Sequence, residues 1–404
     1  MNPRLKNLQP YPFEKLKQLF AGITPDPAYA PIALHIGEPK HATPEFIRKA
    51  LCDSLGGLAH YPTTLGGRSL RDSIAAWLMR RYALPAVDPD TEIIPVNGSR
   101  EALFSFAQAV IEATNTRSRP QPAVICPNPF YQIYEGAAFL AGAEPHFLNT
   151  VEENNFALNF TELPTSVWER TQLIYVCSPG NPTGAVMSLD DWRRLFALSD
   201  RYGFVIAADE CYSELYFDES KPPLGALQAS HLLGRGGFTR LVVFGSLSKR
   251  SNVPGMRSGF VAGDATLLEK FLLYRTYHGG AMNPAVQAAS EIAWRDEAHV
   301  VENRRLYAEK FAAMTKLLSE KMPANMPEAA FYLWLKTPVA DTEFALRLYR
   351  DYNVTVLPGS YLAREAHGIN PGANFVRVAL VAPLAECVEA AGRICALLDN
   401  LNHE

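Results

Sequence analysis

The sequence predicts an α/β protein: a mostly parallel sheet covered by helices on both faces, followed by a smaller α+β unit. Three observations carry this. Short apolar, β-rich runs recur at AVICP (123–127), LIYVC (173–177), FVIAA (204–208) and LVVFG (241–245). Helical patterns separate them, and continuous apolar strands alternating with helices belong to parallel sheets buried on both sides. Beyond about residue 321 the pattern changes to separated strands at 331–336, 354–358 and 375–380, with helices expected at 341–352 and 383–401.

A chain of 404 residues is long enough for more than one core. The expected division is an N-terminal arm with part of the small unit (1–45), a large unit (46–284), and a connecting helix with the small unit (285–404). Hydrophobic residues make up 48% and charged residues 20%, as in an ordinary globular protein. A formal charge of −4 leaves no electrostatic footprint for nucleic acid or an anionic membrane. The first residues, MNPRLKNLQPYPFEKL, contain no apolar core of a signal peptide, and no run of about 18 apolar residues occurs. The six cysteines (52, 126, 177, 211, 387, 395) form no C-x-x-C pair. They read as reduced thiols of a cytoplasmic protein, neither a disulfide frame nor a metal site.

Taken in order, the Pro-rich first 40 residues read as an arm lying on another surface, a second subunit's among the candidates, with a short helix at 13–20. LHIGEPKHATP ends at a helix start with Thr43 as N-cap, Pro44 at the first helical position and Glu45 in the first turn. Leu70, Ile74, Trp77 and Leu78 repeat at helical spacing in the next helix. LDDWRRLFALSDRYG has Ser188 as N-cap, Asp191 completing a capping box and Gly203 as its stop. A long helical pattern runs from Pro284 to about Lys321 with a break near Asp296.

The polar motifs fall just after the apolar runs, where ligands bind in open α/β sheets. Gly98, Ser99 and Arg100 open a helix after IIPV. Amide groups there favour an anion, although a simple capped start fits the same residues. Tyr131 follows 123–127, its ring available either to stack on a planar heterocycle or to join an aromatic core. Asn181 sits in SPGNPTG, either a plain surface turn or one that fixes the direction of one amide side chain. Asp209 ends a buried apolar run with Tyr212 close behind. A carboxylate there wants a cation, or serves as an N-cap. Lys249 lies in FGSLSKRSNVPGMRSGF, flanked by Ser246 and Ser248 and eight residues before Arg257. An unprotonated lysine condenses with carbonyls, and hydroxyls with an arginine fork suit a phosphate. Together they point to pyridoxal 5′-phosphate (PLP), against a solvated lysine in a Ser/Gly loop. Arg377, mid-strand in NFVRVAL, wants a bidentate anion, from a substrate or an internal acid.

In this joint order, from about Ile36 to Leu398, the chain resembles the class I/II aminotransferases, the fold-type I enzymes that use PLP. The resemblance implies a role for each residue. Lys249 matches the lysine that holds the cofactor and moves the proton at Cα. Asp209 matches the partner of the pyridine nitrogen, and Asn181 and Tyr212 match the residues on the phenolic oxygen. Tyr131 takes the ring-stacking place. Ser99, Arg100, Ser246, Ser248 and Arg257 match phosphate contacts, with Tyr61 supplied to the phosphate of the neighbouring subunit. Gly37, Asn181 and Arg377 match the groups around the substrate carboxylate. The family implies a homodimer with shared sites, and amino acid and 2-oxo acid substrates.

Longer strings, among them HIGEPKHATP, CPNPFYQIYEGAAFLAGAEP and SLSKRSNVPGMRSGFVAGDA, are similar to the bacterial N-succinyl-L,L-diaminopimelate aminotransferases of lysine biosynthesis. A second basic group would then meet the distal acidic end of the substrate, with Arg250, Arg275 and Arg364 as candidates. The alternatives are an aminotransferase for aspartate, alanine or aromatic acids, or a PLP-dependent carbon–sulfur lyase. A PLP-sensing regulator would need a DNA-binding domain ahead of the arm.

Overall fold

The computed structural model describes residues 1–113, 120–324 and 326–403, with the side chain of Asn402 excepted. Twelve strands occur among them: β1 Ile32–Ala33, β2 Ile93–Val96, β3 Ala123–Asn128, β4 Glu144–Asn149, β5 Thr171–Cys177, β6 Val205–Asp209, β7 Leu241–Ser246, β8 Gly259–Gly263, β9 Tyr332–Lys336, β10 Val354–Thr355, β11 Leu357–Pro358 and β12 Phe375–Ala379.

Seven of them form one sheet in the order β2-β8-β7-β6-β5-β3-β4. All its ladders are parallel except the two made by β8, which runs antiparallel between β2 and β7. Side chains alternate between two cores, as the two-residue period of a strand requires. Ile125, Ile174, Ile206 and Val243 join one apolar cluster, and Val124, Tyr175, Val205 and Phe244 join the cluster on the opposite face. The four expected runs are all strands. β6 extends through Asp209, so this carboxylate belongs to the strand itself. The sequence reading missed β4 and β8.

β11, β12 and β9 form a second, antiparallel sheet. Its core includes Leu333, Val376 and Val378, together with Phe311 and Met314 of the helix Ala298–Leu318 and Ile394 of the helix Leu384–His403. The long helical pattern is indeed interrupted, with one helix ending at Arg295 and the next starting at Ala298. β1 pairs in parallel with β10 and ties the start of the chain to this region.

Ser188 and Asp191 form the expected capping box, and Gly203 stops the helix at a positive φ of 79°. The helix after the HATP string starts at Glu45, and Thr43 is not its cap. Thr43 Oγ1 donates to the Asn252 carbonyl instead, at 2.8 Å. The arm's helix spans Pro12–Leu19. It lies on its own chain, where Leu16 packs with Leu357 and Leu362. No helix among the described residues is long and apolar enough to cross a membrane.

Candidate active site

The parallel strands bring their C-terminal ends to one edge, and a cavity of about 500 Å³ opens there. Of the thirteen residues to which the resemblance gives a role toward cofactor or substrate carboxylate, twelve line it: Gly37, Ser99, Arg100, Tyr131, Asn181, Asp209, Tyr212, Ser246, Ser248, Lys249, Arg257 and Arg377. Tyr61, fully exposed, does not reach the cavity of its own chain.

Lys249 sits on a single helical turn, Leu247–Arg250, capped by Ser246, whose Oγ accepts from Ser248 N at 3.1 Å. The turn swings the lysine off the end of β7 and into the cavity. Its amine donates to the Gly37 carbonyl. Burial, with help from the Arg377 and Arg100 charges, lowers its pKa to about 8 against the opposing pull of Cys211 and Glu38. Near neutral pH a minority of the amine is therefore unprotonated and nucleophilic, far more than for an ordinary lysine.

Asp209 is buried at the end of β6. It accepts from the Tyr134 hydroxyl at 2.7 Å and from Cys211 N at 3.2 Å. Burial raises its pKa, and these hydrogen bonds oppose the shift. No cation among the described residues pairs with it. Isolated buried carboxylates are costly, so a cationic group entering the cavity, such as a protonated pyridine nitrogen, meets a vacant partner. Tyr131 packs edge-on to Tyr134 with ring centroids 5.8 Å apart, and so flanks the same space.

A second cluster suits a phosphate. Gly98 has a φ of 84°, and a Cβ there would lie 2.1 Å from Arg257 Nη2, so only glycine lets the guanidinium rest on the helix start Ser99–Val110. Arg257 donates to the Pro254 carbonyl at 3.0 Å and pairs with no carboxylate among the described residues. Ser246 Oγ and Ser248 Oγ stand 3.0 Å apart. Ser99 Oγ accepts from the Cys211 thiol at 3.0 Å. Hydroxyls, helix-start amides and an unpaired arginine form a fitting donor set for a dianion. Arg100, also expected at the phosphate, lines the cavity and donates from Nε to the Tyr131 hydroxyl.

Arg377 is buried on β12. Its Nη1 donates to Asn181 Oδ1 and its Nη2 to the His35 carbonyl, both at 2.9 Å. Its Nε has no partner, and no carboxylate among the described residues pairs with it. The guanidinium lies 4.4 Å over the Tyr332 ring. Tyr332 shares a 2.8 Å hydrogen bond with the Tyr212 hydroxyl. Sequence reasoning missed Tyr332. Cross-strand pairing places Arg377 opposite Trp334, and the period of two puts Tyr332 on that face. A Cβ on Gly37 would fall 2.1 Å from Tyr332 Oη, which makes glycine obligatory in this strip. Also missed were Tyr134, Cys211 and the arm residues Tyr11 and Phe13, all in the cavity wall.

The three arginines expected at the distal end of the substrate are elsewhere. Arg250 is buried, donating to Glu297 at 2.7 Å and to the Ala293 carbonyl. Arg275, with no exposed surface, meets Glu101 and the Gly280 carbonyl. Arg364 grips Glu135 through two bonds of 2.9 and 2.7 Å. None lines the cavity. Each is taken up by an internal acid.

Comparison with known proteins agrees with this geometry. Residues 30–394 match the family model for aminotransferase class I and II. The chain is 52% identical to an aminotransferase of Neisseria meningitidis Z2491 of known structure, over 98% of this chain and 100% of that one, with a TM-score of 0.95. It is 31% identical to the LL-diaminopimelate aminotransferase of Nitratidesulfovibrio vulgaris, over 98% of both. It also superimposes on a probable N-succinyldiaminopimelate aminotransferase of Thermus thermophilus, 26% identical over 95% of this chain and 98% of the other, with a TM-score of 0.82. Cavity, fold and sequence together identify the chain as a member of the class I and II aminotransferases, which use PLP.

Proposed function

We propose that this aminotransferase exchanges an amino group between glutamate and N-succinyl-2-amino-6-oxopimelate, giving 2-oxoglutarate and N-succinyl-L,L-diaminopimelate. The observation that carries the reading is the set of unanswered charges in one cavity: the Lys249 amine, the cation-free Asp209 and the carboxylate-free Arg377. PLP, when bound, supplies a carbonyl that takes up the amino group and a ring that withdraws electrons.

The chain's own residues do the rest. Lys249 would hold the cofactor, and its freed amine would move the proton at the substrate Cα. Asp209 would pair with the pyridine nitrogen and favour its protonated form. Tyr131 would flank the ring, and Asn181 and Tyr212 would hold its phenolic oxygen. Ser99, Ser246, Ser248 and Arg257 would hold the phosphate, joined across a homodimer by the partner subunit's Tyr61. Arg377 binds the α-carboxylate in the fork geometry that guanidinium offers, while Gly37 leaves room for it.

Two features support an acidic acyl substrate. Four cations of the cavity wall (Lys249, Arg100, Arg257, Arg377) stand against two carboxylates (Asp209, Glu38). With Arg250, Arg275 and Arg364 excluded, Arg100 is the guanidinium left for the distal end, beside Tyr131 and the arm's Tyr11. A second reading, free L,L-diaminopimelate as substrate, is favoured by the names of the curated relatives at 28–31% identity.

The test follows the visible absorbance of the holoenzyme. Glutamate should abolish the band of the lysine-bound cofactor, and N-succinyl-2-amino-6-oxopimelate should restore it. Restoration only by the oxo form of unacylated diaminopimelate gives the second reading. Restoration only by simple oxo acids sinks both. Pyruvate and ammonia released from a sulfur amino acid would mark a lyase.

A further inference from the structure

Behind Lys249 lies a buried polar chain that the reaction does not use directly. Asn303 donates from Nδ2 to the Lys249 carbonyl at 3.2 Å. Its Oδ1 accepts from Asn252 Nδ2 at 3.0 Å and lies 2.7 Å from His41 Nδ1. An amide oxygen only accepts, so His41 Nδ1 carries the proton and Nε2 is left as an acceptor. Lys310 Nζ fills it at 2.7 Å and also reaches the Val381 carbonyl at 3.4 Å.

Lys310 and Asn303 are almost wholly buried, at 3% and 2% exposure. No carboxylate among the described residues pairs with Lys310. Its amine lies 5.0 Å over the Tyr307 ring, and burial lowers its pKa to about 8. A lysine buried without an acid is costly, and apolar residues would fill the same space at a smaller penalty.

What the chain holds is specific. The strip from Gly37 to His41 is fastened to residue 249 at both ends. Its first carbonyl takes the Lys249 amine, and its last ring reaches the Lys249 main chain through Asn303. The amine leaves Gly37 whenever it reacts, so only the His41 end can stay fixed. Asn303 and Lys310 sit on the helix Ala298–Leu318, whose later residues Phe311 and Met314 belong to the core of the second sheet. The chain therefore joins the lysine, the strip over it and the smaller sheet.

We propose that His41, Asn303 and Lys310 are positioning residues, which hold the Lys249 backbone and the Gly37 strip in register so that the amine alternates between the Gly37 carbonyl and the reacting carbon. The inference rests on the role proposed for Lys249. That role fails separately, if Lys249→Ala holoenzyme still converts glutamate at the parent rate.

The experiment is the single-turnover half-reaction of the holoenzyme with glutamate, in Lys310→Met, Asn303→Ser, His41→Leu and His41→Gln. The first three should slow the step at saturating glutamate about ten- to a hundredfold, with the glutamate Kd unchanged within about twofold, because no contact to substrate is lost. His41→Gln keeps an acceptor for Lys310 and a donor, and should recover most of the rate. If Lys310→Met and Asn303→Ser react at the parent rate while only Tm falls, the chain merely supports the fold and the proposal is overturned. Loss of rate in strict proportion to loss of folded protein overturns it too. Should His41→Leu not fold, the other two variants decide.

Discussion

Arg250, Arg275, Arg304 and Arg364 lie outside the cavity, and each meets a carboxylate. Lys249, Arg100, Arg257 and Arg377 line it, and they meet carbonyls, hydroxyls and an amide instead. Both sets are arginine-rich, and members of both are deeply buried. The difference is whether the charge is answered within the fold. Removing one partner of a buried pair costs about 3–5 kcal/mol because the other charge is stranded. A charge that the fold itself leaves unanswered has the same deficit, which a ligand of opposite sign removes. Among these eight residues pairing, more than residue type or burial, separates the cavity from the scaffold.

The comparison can be broken most forcefully at Lys249. Lys249→Ala should lower kcat for either half-reaction by about 10⁴-fold, the upper range for one acid–base group, with little change in Tm. A variant that retained more than a few per cent of the parent rate would place the proton transfer on another residue. The largest effect on the scaffold side is expected at Glu135. Glu135→Ala strands Arg364 and should destabilise the protein by about 3 kcal/mol in a denaturant titration, leaving kcat/KM for glutamate unchanged. A fall in kcat/KM with stability intact would move Arg364 into the site.

Arg377 comes next. Arg377→Ala should weaken glutamate binding by about 1.5–3 kcal/mol, the range for charge-assisted hydrogen bonds, read as a rise in Kd with a much smaller change in Tm. Arg377→Lys should recover little, because a point charge cannot make a forked contact. Equal loss of stability and affinity would mean that the arginine serves the fold.

This contrast also explains what was legible in the sequence. The strand-end residues could be read because an apolar run fixes where a strand stops, and Asp209, Asn181, Lys249 and Ser99 each follow one closely. Ser188 and Asp191 could be read because a capping box is local. Arg250, Arg275 and Arg364 misled because they neighbour the right motifs in sequence, while the acids that consume them are far off. Glu101 and Glu135 precede their arginines by 174 and 229 residues. Tyr332, Tyr11 and Phe13 reach the cavity by the packing of the second sheet and of the arm onto it, which no local pattern encodes. Thr43 was misplaced for a related reason: its hydroxyl found Asn252 across the fold.

The smallest expected effect is the sharpest test, since it reverses sign with the cofactor. In cofactor-free protein Asp209 is a buried carboxylate with no cation, and its folded pKa is raised. A raised acid pKa means that the folded state holds the proton more tightly than the unfolded chain. The favourable contribution is then fully present below the unfolded value and lost as pH rises through the folded one. At neutral pH the parent carries the burial cost of the charge, and Asp209→Asn, which keeps the shape and drops the charge, should raise the stability of cofactor-free protein by about 1 kcal/mol. The gain should vanish in acid, where the parent carboxyl is protonated. With PLP bound the order should invert, because the carboxylate then answers a pyridinium and the amide does not. Equal stability of parent and variant in both forms would mean that Asp209 meets no cation, and the assignment of the ring nitrogen to this residue would fall.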